Sequence, residues 1–228
     1  MSLTRKPKIV LISGKKQSGK DTAADYLINL LSEQNISGIT YSFATPLKNF
    51  LIDVFGLSYL QCWGSDLDKN TLTRVKWSDL PLPKDVINQI YFKSTQNFTH
   101  NIDEYMTARQ VMETFGTHIC RHMMNNCWAE SARRHCTIPS IHDVVFITDA
   151  RFPNELDVFK DLRPVILRLQ RNLFNSQTDI ETALDNYNFD SWVNYISINN
   201  QEWSIEEKNQ YLKMFVLPKI MEMLVEIH

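Results

Sequence analysis

Apolar positions along the chain keep two rhythms, short continuous runs and stretches in which apolar residues return every three or four positions. Ile9 to Ser13 is a run of apolar or small residues, and behind it Ala23, Ala24, Leu27, Leu30 and Leu31 hold helical spacing. Gly38 breaks that helix, and Ile39 to Phe43 read as a second short strand. Pro46 is placed to start a helix carrying Leu47, Phe50, Leu51 and Val54. Thr107-Ala108-Arg109-Gln110 has the Thr-x-x-Gln form of a capping box. It stands ahead of a helical face of Ala108, Val111, Met112, Phe115 and Ile119, which leaves Arg109 in the first turn and off that face. A helix is predicted over Trp128 to His135, then a strand over Val144 to Asp149, continuously apolar until its closing acid. Pro153 starts another helix, and Val165 to Leu169 and Tyr195 to Ile198 give two further strands. Trp203 to Glu207 cap a long final helix in which Pro218 predicts a kink.

Strands alternating with helices predict an α/β fold with a doubly wound parallel five-stranded sheet. Such sheets take ligands at the carboxyl ends of their strands. That rule puts the loop after Ser13, Asp149 and Arg151 on one rim. From Gly56 to Tyr105 the pattern loosens into aromatic, Asn-rich and Pro-containing sequence, with Trp63, Trp77, Pro81 and Pro83, and reads as an insertion into a single domain spanning residues 1–228. No internal repeat or low-complexity run interrupts it.

Composition then narrows the partners. With 228 residues and 43% hydrophobic content, the chain is long enough for one sizeable core. Its 24 Lys and Arg against 26 Asp and Glu leave a net charge of −2 with no block of like charge, so no nucleic-acid footprint is visible and a phosphate ligand must be met locally. Cys62, Cys120, Cys127 and Cys136 show no CxxC spacing, and no apolar run has membrane length, which suggests a reducing, cytoplasmic setting and no membrane partner. His118 and His122 share a helical face, yet without an HExxH or paired CxxC they do not argue for zinc.

The chemistry sits where the first strand meets the first helix. Gly14 and Gly19 stand five positions apart with Lys20 directly after, the GxxxxGK spacing of a P-loop, whose backbone N–H groups turn onto a nucleotide's phosphates. The helix start adds its unpaired N–H groups and a partial positive charge. Where that pattern usually has Ser or Thr, this chain has Asp21, followed by Thr22. A carboxylate beside a polyphosphate calls for a cation between them, so Asp21 points to magnesium, with Asp149 as a second acid. Lys16 is favoured over Lys15 as a further phosphate contact. A monophosphate acceptor has a second pKa near ~6 and is already a dianion at neutral pH, so it needs no general base. It does need arginine forks, and Arg74, Arg109, Arg151 and Arg171 are the candidates.

Four stretches in order resemble one family. Gly14-Lys15-Lys16-Gln17-Ser18-Gly19-Lys20-Asp21-Thr22 is similar to the P-loop of the deoxynucleoside monophosphate kinases of tailed bacteriophages, which carry GKD where most P-loops carry GK[ST]. Tyr41 to Lys48, Thr107-Ala108-Arg109-Gln110 through Phe115-Gly116-Thr117, and Ile147 to Glu155 agree as well. The resemblance implies a P-loop kinase fold with an inserted NMP-binding region at 56–106 and a short lid at 171–184. It implies transfer of the ATP γ-phosphate to a deoxynucleoside 5′-monophosphate, with ATP and Mg2+ as cofactors, for viral DNA synthesis in a host cytoplasm. Gly14, Lys16, Ser18, Gly19, Lys20, Asp21, Thr22 and Arg171 would bind ATP, and Asp21 and Asp149 the metal. Phe43, Lys48, Arg74, Arg109 and Arg151 would bind the monophosphate, with Lys20, Arg109 and Arg151 catalytic. One departure is visible. Where the family commonly has His-x-x-Glu after the lid arginine, this chain reads Thr178-Asp179-Ile180-Glu181, and the lid adds no further arginine. A kinase of another phosphorylated acceptor, such as dephospho-coenzyme A or phosphomevalonate, shares the same cradle, and so does a nucleotide-dependent switch or ATPase. A monomer and a homodimer both remain open.

Overall fold

The continuous apolar runs become the strands of one parallel sheet. In the computed structural model, which describes residues 5–95, 101–171 and 182–225, these are β1 (Lys8–Gly14), β2 (Gly38–Tyr41), β5 (Val144–Ala150), β6 (Val165–Leu169) and β7 (Tyr195–Ile198). Their order is β2-β5-β1-β6-β7, and every neighbouring pair is parallel. The chain first moves from β1 over β5 to β2, and later crosses from β5 over β1 to β6. Connections therefore leave in opposite directions around β1, and the crevice at its carboxyl end is the switch point where doubly wound sheets bind ligands.

Contacts divide the chain into two compact units, Met1–Phe43 with Trp128–His228, and Ala44–Cys127. In the first, β1 alternates its side chains between two cores, as strand geometry requires. Val10 and Ile12 pack with Ala23, Ala24, Leu27 and Leu31 of α1 (Lys20–Ser32) and with Leu212, Val216 and Ile220. Ile9 and Leu11 pack on the other face with Ala129, Ala132, Ile147, Leu156 and Phe159. The final helical segment runs as Ile205–Tyr211, then a widened π turn at Leu212–Val216, then Leu217–Val225. Pro218 lacks an N–H and its ring crowds the preceding turn, so the predicted kink takes the form of this wider turn just before it.

Two irregularities shape the ligand-facing rim. Leu11 pairs with Ile147 but Ser13 pairs with Ala150, so β5 carries one extra residue beside Ile12 and its end is re-aimed. The second strand stops at Tyr41 rather than Phe43, because Ser42 and Phe43 leave the ladder to bond a side chain of β5, Asp149.

The second unit holds α2 (Thr45–Phe55), with Pro46 in its first turn, the antiparallel pair β3 (Leu72–Lys76) and β4 (Tyr105–Thr107), and a helix at Lys84–Thr95. The Thr107 hydroxyl and Gln110 close the expected capping box ahead of the helix Ala108–Glu113. The loosely patterned stretch has its own core, in which Trp77 meets Tyr91 edge to face at 5.3 Å. Among the described residues, no helix is long and apolar enough to cross a membrane.

Asp143, just ahead of β5, ties the amino ends of β2 and β5 together. Its carboxylate accepts from the Ser37 N–H at 2.8 Å, the Ser37 hydroxyl at 3.0 Å and Arg5 Nε at 2.9 Å. Burial pushes its pKa up, but the Ser37 and Arg5 hydrogen bonds outweigh burial and hold it below the ordinary carboxylate value. A depressed folded pKa gives stability that is full above the unfolded value of about 3.9 and lost as pH falls through the folded one. Thermal melts between pH 7 and pH 3 should therefore show a steeper acid loss in the native protein than in Asp143→Asn, and parallel profiles would contradict the assignment.

Candidate active site

The loop after β1 is built around a position that admits no side chain. Gly14 has φ +153°, and a Cβ there would lie 2.5 Å from Ser18 Oγ and 2.7 Å from the Leu169 carbonyl oxygen. The chain then turns tightly, with the Ser18 N–H donating to the Lys15 carbonyl at 3.1 Å. Gly19 is the N-cap of α1 and brings no capping side chain, so the first-turn N–H groups are open to an external acceptor. Lys20 arches back across the loop and its Nζ donates to the carbonyls of Gly14 at 2.7 Å and Lys15 at 2.8 Å. Lys16, Asp21 and Thr22 are exposed at the mouth, and the Thr22 hydroxyl donates to the Gly19 carbonyl.

Polar atoms are buried around this loop without protein partners. Ser13 and Ser18 are 2% and 1% exposed, and both hydroxyls lack a hydrogen-bond partner among the described residues. Asn200 Oδ1 and Arg171 Nε share that state. Buried polar groups left unpaired are costly, and their convergence on one loop marks a place made for a polar ligand. A cavity of about 190 Å³ opens at the carboxyl ends of β1, β5 and β6, lined by Gly14 and Lys15, by Arg151 and by Arg168.

Asp149 is oriented rather than free. Its carboxylate accepts from the Ser42 hydroxyl at 2.6 Å and the Phe43 N–H at 2.8 Å, which use one lone pair on each oxygen. A carboxylate oriented in this way suits one position of a hard cation. Magnesium usually takes one or two carboxylates and keeps waters and substrate oxygens, and Asp149 with Asp21 fits that donor set. The Phe43 ring is 3% exposed and packs edge-on to Phe159 at 6.3 Å, so what Phe43 offers is its N–H to Asp149, with its ring committed to the core. Arg151 is exposed at the cavity. Its backbone N–H and that of Phe152 donate to Glu155 Oε2 at 2.8 and 3.1 Å, and this 2%-exposed carboxylate fixes the loop that carries the arginine.

In the second unit, Arg109 Nη2 donates to Asp66 at 2.7 Å and its Nε to Asn70 at 3.1 Å, so a carboxylate offsets the misfit of a cation in a first helical turn. Lys48 Nζ stands 3.9 Å over the Trp63 ring, and Arg74 is exposed on β3. The lid stretch falls largely on residues 172–181, outside the described residues, and Glu181 with it.

Two residues join the loop that sequence reasoning passed over. Asn200 Nδ2 donates to the Ser18 carbonyl at 3.1 Å, and Lys208 Nζ donates to the Thr22 hydroxyl at 2.8 Å. Asn200 stands two residues past β7, where the strand-end rule could have found it. Lys208 follows a helix cap, where nothing local in the sequence marks a lysine as buried. Burial, and then the Arg171 guanidinium, push the Lys208 pKa down.

A family model described as deoxynucleotide monophosphate kinase matches residues 8–78, which hold the loop, β2, Phe43, Lys48 and Arg74. A protein of Acanthamoeba polyphaga mimivirus that carries this kinase name provisionally is 29% identical over 163 residues, 72% of this chain and 74% of its own. The deoxynucleotide monophosphate kinase of Enterobacteria phage T4 is 22% identical over 204 residues, covering 72% of this chain and 81% of its own. The chain is similar in sequence to proteins named deoxynucleotide monophosphate kinase. A solved structure of a provisionally named plasmid partition protein from Borrelia burgdorferi B31 bound to AMPPNP covers 97% of this chain at 14% identity, with a TM-score of 0.33. The likeness to the kinases thus comes from sequence, and the α/β fold is read from the strand order and the loop. The matched segment ends before Arg109, Asp149, Arg151 and Arg171.

Gly14→Ala should lower the urea midpoint by the equivalent of about 2 kcal/mol or more, since the new methyl meets a backbone carbonyl that cannot step aside. Gly56→Ala is the control, at φ +67° with nothing within 4 Å of the added carbon, and should cost only about 1 kcal/mol. Equal shifts in the two would mean that the loop is not packed as described.

Proposed function

We propose that this chain is a deoxynucleoside monophosphate kinase, which moves the γ-phosphate of ATP to the 5′-phosphate of a deoxynucleoside monophosphate with magnesium, in the service of viral DNA synthesis. The observation that carries the reading is the loop itself. Open N–H groups, Lys20 and unpaired buried hydroxyls converge at the end of β1, beside an oriented carboxylate, in a chain similar to kinases of this name. Phosphoryl transfer asks little covalent chemistry of a protein and much positioning and charge stabilisation, which is what this arrangement supplies.

Lys20 would leave the loop carbonyls for the β- and γ-phosphates, with Gly14, Lys16, Ser18, Gly19 and Thr22 completing the cradle and Arg171 contributing from the lid entrance. Asp21 and Asp149 would hold the metal, which supplies charge neutralisation between donor and acceptor oxygens when bound. Arg151, held at the cavity by Glu155, and Arg109 would bind the acceptor phosphate, with Lys48 and Arg74 on the substrate side and Phe43 orienting Asp149 through its N–H. A dianionic acceptor is its own nucleophile, in keeping with the lack of a base among these residues.

A coupled ADP-release assay against ribo- and deoxynucleoside monophosphates, coenzyme A precursors and no acceptor tests the reading. Release should depend on added monophosphate, favour the 2′-deoxy forms and ignore coenzyme A precursors. Lys20→Ala should lose at least about a hundredfold in rate, near 2.7 kcal/mol, with an unchanged melting curve, because the lysine acts through charge and not packing. Acceptor-independent hydrolysis would point instead to an ATPase.

A further inference from the structure

Lys208 lies in an environment hostile to its charge. The helix Ile205–Tyr211 that carries it is fixed by a Ser204–Glu207 capping box, and the side chain turns inward until the residue is only 6% exposed. Its Nζ donates to the neutral Thr22 hydroxyl at 2.8 Å and stands 3.1 Å from where a Cβ on Gly19 would be. That is the amino end of α1, where the helix dipole disfavours a cation. The charge that acts on it is another cation, Arg171. Among the described residues, neither Lys208 nor Arg171 forms an ion pair.

The surroundings are built and incomplete in the same way. Asn200, 3% exposed, donates through Nδ2 to the Ser18 carbonyl, while its Oδ1 and the Ser18 hydroxyl have no partner among the described residues. Burial, a helix amino end and a neighbouring guanidinium each penalise the ammonium. All three penalties are relieved by one change, an anion at the first turn of α1. We propose that Lys208 is a phosphate ligand of the bound nucleotide, brought to the loop by the C-terminal helix from outside the Gly14–Thr22 segment. This rests on the reading of that loop as a nucleotide site and adds to it a fourth cation after Lys16, Lys20 and Arg171. The competing role is a strut, in which Lys208 merely ties its helix to Thr22.

Calorimetric titration of the full chain with ADP and with adenosine separates the two, together with melting curves of the unliganded protein. Lys208→Met should weaken ADP about tenfold to a hundredfold, the loss expected for a hydrogen bond to a charged group. Adenosine affinity should stay within about twofold, and the unliganded melting temperature should hold or rise because a buried, unpaired charge is gone. ADP affinity unchanged within about twofold, or ADP and adenosine weakened by the same factor in a protein that melts lower, would overturn the proposal. Lys208→Gln, which keeps a donor to Thr22 without the charge, is judged by the same readouts if Lys208→Met does not fold. Lys20→Ala distinguishes the levels of failure. If it loses ADP and Lys208→Met does not, only this inference falls, whereas unchanged ADP affinity in both removes the nucleotide site itself.

Discussion

Between the hydroxyl of Ser18 and the carbonyl of Leu169 there is no space for a carbon on Gly14, and much of the site follows from that contact. Because β6 runs so close to the end of β1, the chain must leave the strand as glycine, turn through Ser18 and enter α1 on a second glycine. A helix begun this way has no side-chain cap, so its first N–H groups need an acceptor from elsewhere. The hydrophobic side of the structure keeps the loop in place. β1 is buried on both faces between two cores, and neither face yields without exposing a layer of apolar side chains.

Charge then follows geometry. Lys20 bends onto the loop's own carbonyls, Lys208 onto a hydroxyl, and Arg171 stands near Lys208, while the Asp149 carboxylate holds Ser42 and Phe43. Lys208 is thus a buried cation at a helix amino end that rests on a neutral acceptor. Such an arrangement costs stability in the empty protein, and an anion recovers the cost on binding. The same argument separates a nucleotide site from a structural turn, for which buried lysine and unpaired serine hydroxyls would be a loss with no return.

The sequence made the strands, the glycine loop and the capping boxes at Thr107 and Ser204 readable, because each is written within a few residues in periodicity or cap chemistry. What it left obscure depends on partners far along the chain. Asp149 meets Ser42 across 107 positions, Arg109 meets Asp66 across 43, and Lys208 meets Thr22 across 186. The motif around Phe43 implies a substrate contact, yet its ring belongs to the core and its N–H to Asp149. The loosely patterned stretch was harder for another reason. Its helices at Tyr59–Trp63 and Asp66–Lys69 are too short to show a period, although Ser58 with Gln61 and Ser65 with Asp68 spell their capping boxes.

The central claim is that phosphate leaves a nucleotide seated on the Gly14 loop for another phosphate. Phosphorus NMR of the chain with ATP, magnesium and a deoxynucleoside monophosphate observes that event directly. The account predicts that the γ-phosphorus signal of ATP decays as the α and β signals of a new deoxynucleoside diphosphate grow in equal amount, with no matching inorganic phosphate. Loss of the γ signal into inorganic phosphate alone, at the same rate with and without the monophosphate, would contradict it.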